Sequence, residues 1–471
     1  MRRVVGRRRG DPAAQPADVR GELVQKPVQR EHVSPLSRLD DLRVHARKIT
    51  WNLSAVPRHL SFRRTSHRRA DLVKSDLTIV GAGLTGLTAA IEAAERGWQV
   101  TVVEAHSRPG GRARSLEGPY LANDGPHAVY VDGPWWAWLE RRDLTPPIVK
   151  APPDGGLVRT GGRLGPWPDE LTAAIATLPT EAPPQDPFRT WLLKHVDAKV
   201  TEAIVGLAFI FTFDHDPGRL SAAFVHERLR RALAGGARYV TGGWSTLADA
   251  IIERATDLGV HIRTQTRLST LPASPTILAT SLAAARQLTG DDSLTWPGAR
   301  VATFDFGLRT DGGPDWFRIM DLDNRIYAAR YSRADPTLAP PGHELIQICA
   351  ACAPQERKAD AERRVHALLD HSWPGWRDAV QWHRSALRTH CSGAVDLPGT
   401  TWHDRPAIGR TPTLAVATDQ SAAPGLLSEV GIAAAQSALH HLTNPQDHLS
   451  PPTNLSPPTN PDLYPAQGSP Q

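Results

Sequence analysis

The chain has 471 residues, 40% of them apolar and 14 of them Trp. This composition excludes a disordered or fibrous protein and leaves room for roughly two to four domains. Its formal charge of +5 is unevenly spread. Of the 54 Lys and Arg and 49 Asp and Glu, residues 1–75 hold 18 and 7, so the rest of the chain is mildly acidic. Three Cys, an odd count in a long chain, imply no disulfide framework.

Residues 1–74 lack sustained periodicity and read as a disordered basic leader, with the native start expected near Val73. Charge runs of this kind are commonly solvated tails, so no nucleic-acid partner is expected. "MRRVVGRRRGD" carries an arginine pair, but no apolar stretch follows it as an export signal requires.

The pattern changes at Asp76. "DLTIV" predicts a short strand, "LTGLTAAIEAAER" a helix ended by Gly97, and "QVTVVE" a second strand. Gly81, Gly83 and Gly86 form G-x-G-x-x-G between the first strand and the helix. The first glycine permits a tight turn, the second a close approach to a pyrophosphate, and the third close helix–strand packing. Unpaired N–H groups at the helix start, where Leu84 and Thr85 lie, suit phosphate. Glu104 ends the second strand, placed to accept from ribose hydroxyls. "RPGGR" follows at once. Gly110 and Gly111 can turn sharply, and Arg112 can set a planar cation against phosphate oxygens.

Residues 131–235 are expected to be mainly helical and to cap a substrate site. Their apolar run "AIVGLAFIF", residues 203–211, is far shorter than the ~20 residues of a spanning helix. It reads as a core segment or cavity wall, and a cytoplasmic protein without stable membrane insertion is expected. Trp135, Trp136 and Trp138 suggest an apolar pocket. His215 and His226 flank the cap without a role. Strands are expected in "GVHIRTQTRLSTL", "PTILATS", "VATFDFGLR", "RIYAARYS", "HELIQICAA" and "PTLAVATD". Helices are expected in "DAERRVHALLDHSW" and "LLSEVGIAAAQSALHHL". "CAAC", Cys349 to Cys352, ends a strand rather than opening a helix and reads as buried thiols. No trusted metal spacing occurs among the 19 His. "LSPPTN" repeats in tandem at 449–460, within a Pro-rich tail expected to be disordered from 443.

The stretch "IVGAGLTGLTAAIEAAERGWQVTVVEAHSRPGGRARS" resembles the N-terminal signature of the flavin-containing amine oxidase and phytoene desaturase superfamily. "YLANDGPHAVY", residues 120–130, resembles the segment near the flavin ring. "GGWSTLADAIIERATDLGVHIRTQTRLSTL" resembles the second cofactor segment, with a strand near Arg267 and Leu268 on the adenine side. "LAVATDQSAAPGLLSEVGIAAAQSAL" resembles the closing motif. There Asp419 matches the acid of the ribityl and pyrophosphate region, the following helix would point at the flavin C2 carbonyl, and Leu427 joins the cofactor contacts. Thr418 stands where the family usually has Gly. The resemblance implies FAD and an α/β fold: a discontinuous FAD-binding Rossmann-like domain with an inserted α+β substrate domain. The FAD domain would comprise residues 75–130, 236–298 and 396–442, and the substrate domain residues 131–235 and 299–395.

The resemblance also implies an oxidoreductase acting on a small molecule, with the electron acceptor (oxygen, quinone or other) and the oligomeric state left open. Ser392 and Leu427 stand where monoamine-type enzymes carry aromatic residues, which weighs against that type, although Trp402 or Tyr331 could substitute. "YSRADPTLAPPGHELIQI", residues 331–348, resembles the substrate-domain stretch of the desaturases. The leading expectation is an FAD-dependent desaturase for an apolar or alicyclic substrate. The alternatives are a peroxide-producing amine oxidase and a non-catalytic FAD-binding scaffold. His127 is the candidate catalytic side chain, although a lone His is commonly structural. Cys391 lies near where some relatives tether the flavin.

Overall fold

A computed structural model describes residues 76–310 and 313–444, without the side chains of Cys391 and Ser392. The expected leader, nearly all of the expected tail and the Cys391 tether therefore lie outside the described residues.

In chain order the first elements are β1 (Asp76–Val80), α1 (Leu84–Glu95), β2 (Gln99–Val103), β3 (Val129–Tyr130), α2 (Pro134–Glu140), β4 (Ile148–Val149), β5 (Gly156–Thr160) and β6 (Arg163–Gly165). Then come α3 (Asp169–Thr177), α4 (Phe188–Leu192), α5 (Ala198–Thr212), α6 (Ala222–Leu233), β7 (Ala237–Val240), α7 (Trp244–Asp257), β8 (His261–Arg263), β9 (Thr276–Leu278) and α8 (Leu282–Thr289). The last part holds β10 (Gly298–Arg309), β11 (Arg318–Asp321), β12 (Ile326–Arg330), β13 (His343–Ala351), α9 (Lys358–Ser372), α10 (Trp376–Ala379), β14 (Val380–Ala394), β15 (Gly409–Thr411), β16 (Leu414–Val416) and α11 (Ser428–Thr443).

One sheet has the order β15-β16-β9-β1-β2-β8, parallel except for the β15–β16 pair. Its strands come from three separated stretches of chain, which is the arrangement expected of a discontinuous dinucleotide domain. Leu77 and Ile79 of β1 and Val102 of β2 are fully enclosed, as strands covered on both faces require. Helix α1 buries Ala89, Ala90 and Ala93, small residues that admit a close neighbour. That neighbour is α11, where a Cβ at Gly431 would lie 2.3 Å from the Thr85 hydroxyl.

The second sheet has the order β14-β10-β13-β12-β11-β5-β6 and is antiparallel except where β11 meets β5. Thus the stretch expected to be mainly helical also supplies β5 and β6. Strand β10 alternates with period two. Phe304, Phe306 and Leu308 on one face pack with Val365, Leu368 and Leu369 of α9. Thr303, Asp305 and Gly307 face the other way, and the ring of Tyr120 occupies the space a side chain at Gly307 would need, 2.3 Å away. A small sheet, β3-β7-β4, adjoins the segment after Tyr120.

The apolar pocket suggested by the Trp cluster is corrected, and the run 203–211 is a core segment, one of its two expected readings. Trp135, Trp136 and Trp138 pack in the core of the dinucleotide domain, with the Trp138 indole donating to Glu92 at 2.8 Å. The run 203–211 lies within α5 in a helical core with Phe188, Trp191 and Leu229. Gly206 lets α5 touch β11's end, since a Cβ there would lie 2.3 Å from the Leu322 carbonyl oxygen.

Arg405 and Asp396, both buried, pair within the segment that follows β14 through bonds of 2.9 and 2.7 Å. Removing one partner leaves a charge unpaired in the interior. Asp396→Asn is expected to cost about 3–5 kcal/mol in denaturant unfolding, whereas the double change Asp396→Leu with Arg405→Met costs clearly less. Equal costs would show that the pair's charges are not what matters there.

Candidate dinucleotide and active site

The glycine turn is built by close backbone approach. Gly81 has φ +107°, and a Cβ there would lie 2.4 Å from the Ala279 carbonyl oxygen. A Cβ at Gly86 would lie 1.9 Å from the Gly81 carbonyl oxygen. Gly83 differs: its Cβ would meet nothing within 4 Å, so the space before it is open. Gly83 also caps α1 without any side-chain acceptor, leaving the first-turn N–H groups without a side-chain cap. The Leu84 side chain packs on the domain core and the Thr85 hydroxyl abuts α11 at Gly431.

The second turn lies directly against the first. Gly110 donates to the Ala82 carbonyl at 2.7 Å and bridges Gly83, and both Gly110 and Gly111 have positive φ. A Cβ at Gly111 would lie 3.1 Å from the Gly83 Cα. Glu104 is buried behind them. One carboxylate oxygen accepts from the Ala82 N–H and the other from the His106 N–H, each at 2.8 Å. A carboxylate offers about four acceptor positions, so about two remain, the number a ribose diol fills.

Arg112 leans across this cradle to Asp419, with 2.6 Å between Nη2 and Oδ2. Asp419 is fixed from behind by the Ala394 N–H on its carbonyl. Thr418 adopts no left-handed backbone, and its hydroxyl accepts from the Gln420 N–H at 3.0 Å, so a glycine is not required there. Arg267 and Leu268 are not in a strand. The ladder stops at Arg263, and Gln265 takes φ +51°, which ends the extended run. They follow the residues that pair with Glu104 and His106 through the Thr266 and Gln265 N–H groups.

The start of α11 is not a bare cationic terminus. Leu427 precedes it with φ +54°, rare for a branched side chain. Glu429 in its first turn accepts from the Leu426 N–H and takes two bonds from Arg231, at 2.5 and 2.9 Å. The expected dipole at this terminus is therefore opposed by a carboxylate, itself neutralised by Arg231. A cavity of about 20 Å³ lies beside Leu427, lined also by Tyr130 and Trp135.

His127 is half-buried. Its Nδ1 lies 2.8 Å from the Gly125 carbonyl, which can only accept, so Nδ1 carries the proton and Nε2 of the neutral ring is an acceptor. Burial lowers its pKa below 6.5, and Arg112 acts in the same direction. Its ring meets Trp244 edge-on at 4.9 Å. Asp124, three residues earlier, pairs with Arg388 of β14 at 2.6 Å.

Several residues of this region escaped the sequence reading. Buried Asn123, Asp305 and Gln347, with half-buried Arg384, form a polar group between the second sheet and the 120–127 segment. The signal for it was an acid within the apolar strand "VATFDFGLR". Tyr239, Tyr327 and Tyr331 meet between β7 and β12, with Tyr239 and Tyr331 rings 4.9 Å apart and the Tyr239 and Tyr327 hydroxyls 3.4 Å apart. Burial raises all three phenol pKa values, so they stay neutral near physiological pH. Trp402, the other expected aromatic substitute, stacks on His403. Cys349 and Cys352 are buried, as expected. Among the described residues no helix is long and apolar enough to cross a membrane.

With this geometry in place, comparison with known proteins is informative. Residues 79–141 match the NAD(P)-binding Rossmann-like domain. Hydroxyneurosporene desaturase of Rhodobacter capsulatus is 52% identical over 46 residues, 10% of this chain and 9% of that protein. An L-amino acid oxidase of Lachesis muta is 52% identical over 62 residues, 12% of each. The chain thus matches about a tenth of the length of these curated relatives. Solved structures extend the likeness to the whole fold. An oxidoreductase from Methanosarcina mazei aligns with TM-score 0.63 at 18% identity, covering 78% of this chain and 100% of that one. Cyclohexylamine oxidase from Brevibacterium oxydans aligns with TM-score 0.60 at 15% identity, covering 79% and 100%. The chain shares the α/β fold of these solved oxidoreductases, the fold its motifs led one to expect.

Two outcomes test the site's construction without any ligand. Gly83→Ala is expected to change unfolding by less than about 1 kcal/mol, since its methyl meets open space. Gly86→Ala is expected to cost about 3 kcal/mol, because its methyl falls on a carbonyl. For His127, NMR should show the ring titrating below 6.5. The unfolded chain then takes up a proton first, so His127 subtracts stability as pH falls below 6.5, and His127→Gln reduces that loss.

Proposed function

We propose that this protein is an FAD-dependent oxidoreductase that removes hydride from a C–H bond of an apolar or alicyclic small molecule. The observation that carries the reading is the double cradle. Two glycine turns lie in contact, the space before Gly83 is open, and Glu104 keeps acceptor positions for a ribose diol. A second phosphate turn so close to the ribose acid suits an extended dinucleotide. Arg112 would neutralise its pyrophosphate, and Asp419 would accept from its ribityl hydroxyls.

FAD, when bound, supplies the hydride acceptor. The chain's own residues would bind it, hold the junction and manage protons. His127, held neutral, can accept a proton at Nε2. Tyr239, Tyr327 and Tyr331 would offer neutral hydroxyls to a substrate without demanding that it be charged.

A second reading, oxidation of an amine with release of hydrogen peroxide, is favoured by one observation. Cyclohexylamine oxidase shares the fold over its full length. Anaerobic mixing separates the readings. Bleaching of the flavin by cyclic alkenes or isoprenoid polyenes, but not by cyclohexylamine, supports the first. Bleaching by cyclohexylamine, with peroxide formed in air, supports the second. Reduction by neither class favours a non-catalytic FAD-binding scaffold. Whichever substrate is found, Glu104→Ala is expected to weaken FAD binding at least about tenfold in equilibrium dialysis, since a hydrogen bond to a charged group contributes about 1.5–3 kcal/mol. Unchanged affinity would remove Glu104 from the site.

A further inference from the structure

Arg384 of β14, Asp305 of β10 and Gln347 of β13 are direct cross-strand neighbours on one face of the second sheet. Asp305 and Gln347 are fully buried. Arg384 Nε donates to Asp305 Oδ2 at 2.7 Å, and Gln347 Nε2 donates to Asp305 Oδ1 at 2.9 Å. Both donors also reach out of the sheet to one main-chain oxygen. The Asn123 carbonyl accepts from Arg384 Nη2 at 2.5 Å and from Gln347 Nε2 at 2.9 Å, and also from the Gly125 N–H at 2.8 Å. A carbonyl oxygen ordinarily serves two donors, so three is a crowded arrangement.

The arrangement has an energetic cost. With both N–H groups of Gln347 committed, its Oε1 is buried without a partner, a penalty of about 1–3 kcal/mol. A buried Asp–Arg pair is also weak evidence of added stability, since apolar residues fill such space as well. What the group achieves is aim: two side chains on two strands converge on the carbonyl that opens the 124–126 turn. The same sheet holds that turn twice more. Arg388 pairs with Asp124, and a Cβ at Gly125 would lie 3.1 Å from Thr303 Cγ2. On the dinucleotide side, the Asn123 side-chain oxygen accepts from the Ser115 hydroxyl at 2.8 Å and the Trp244 N–H at 2.9 Å. Asn123 is therefore gripped from both domains, four residues before His127.

We infer that Arg384 is a positioning residue that acts through the Asn123 carbonyl to fix the 124–126 turn against the cofactor and raise the cofactor's reduction potential. The inference rests on the FAD reading. Polarising the Asn123 carbonyl strengthens the N–H of the same peptide as a donor to a group that gains negative charge on reduction, while the guanidinium's own charge is balanced by Asp305.

The test uses the purified holoprotein and its Arg384→Met, Arg384→Lys and Gln347→Leu variants. Three quantities are read: FAD per chain, midpoint potential by dye equilibration, and unfolding temperature. Arg384→Met is expected to keep FAD but to shift the reduction equilibrium about tenfold toward oxidised flavin, about 30 mV for two electrons. Gln347→Leu is expected to shift it the same way by less, and Arg384→Lys to restore part of the loss. If Arg384→Met does not fold, the other two variants decide. FAD-loaded variants with equilibria within twofold of the wild type, whatever their stability, would overturn the inference and leave the FAD reading intact. A wild-type protein that binds no FAD would overturn both.

Discussion

The contact on which the rest depends is the approach of the Gly86 backbone to the Gly81 carbonyl, too close for any side chain at 86. It presses the first turn of α1 onto the end of β1. That in turn leaves Gly83 facing open space and brings the second glycine turn within a bridge of it. Glu104 could not bond both Ala82 and His106 if the strand and helix were farther apart. The anion-ready helix end, the ribose acid and the arginine are thus consequences of one packing constraint.

A second constraint is the joining of two sheets of opposite character. The parallel sheet is enclosed by helices and reads as apolar strands. The antiparallel sheet shows one face to α9 and turns the other, with its acid, amide and guanidinium, toward the 120–127 segment. Polar groups at that junction are expensive to bury and must be paired. Asp305 is paired within its sheet by Arg384 and Gln347, and both of those donors also bond across the junction to the Asn123 carbonyl, which ties the sheet to the 120–127 segment at a specific place.

Where function was legible in the sequence, the cause was local. Gly81, Gly83 and Gly86 sit in one turn, and Glu104 and the Gly110 turn follow within one strand, so their geometry is carried by neighbours in the chain. The last helix and the β10, β12 and β13 strands announce themselves by periodicity. The failures lie where distant residues meet. Arg267 and Leu268 were assigned to a strand that Gln265 ends by a left-handed turn, which no apolar pattern reports. The three Trp of α2 suggested a pocket but are core, because aromatic clustering does not reveal what covers it. Strand β14 hides its pattern behind His, Arg and Gln, and with it Arg384 was missed. Glu429 at the start of α11 could be seen, but not the Arg231 that neutralises it from 198 residues away.

The central claim is that the double glycine cradle holds FAD. The most direct measurement is the visible absorption spectrum of the purified protein, taken before and after acid precipitation. The account predicts flavin bands, with about one FAD per chain released into the supernatant. A colourless protein that cannot be reconstituted with FAD would contradict it.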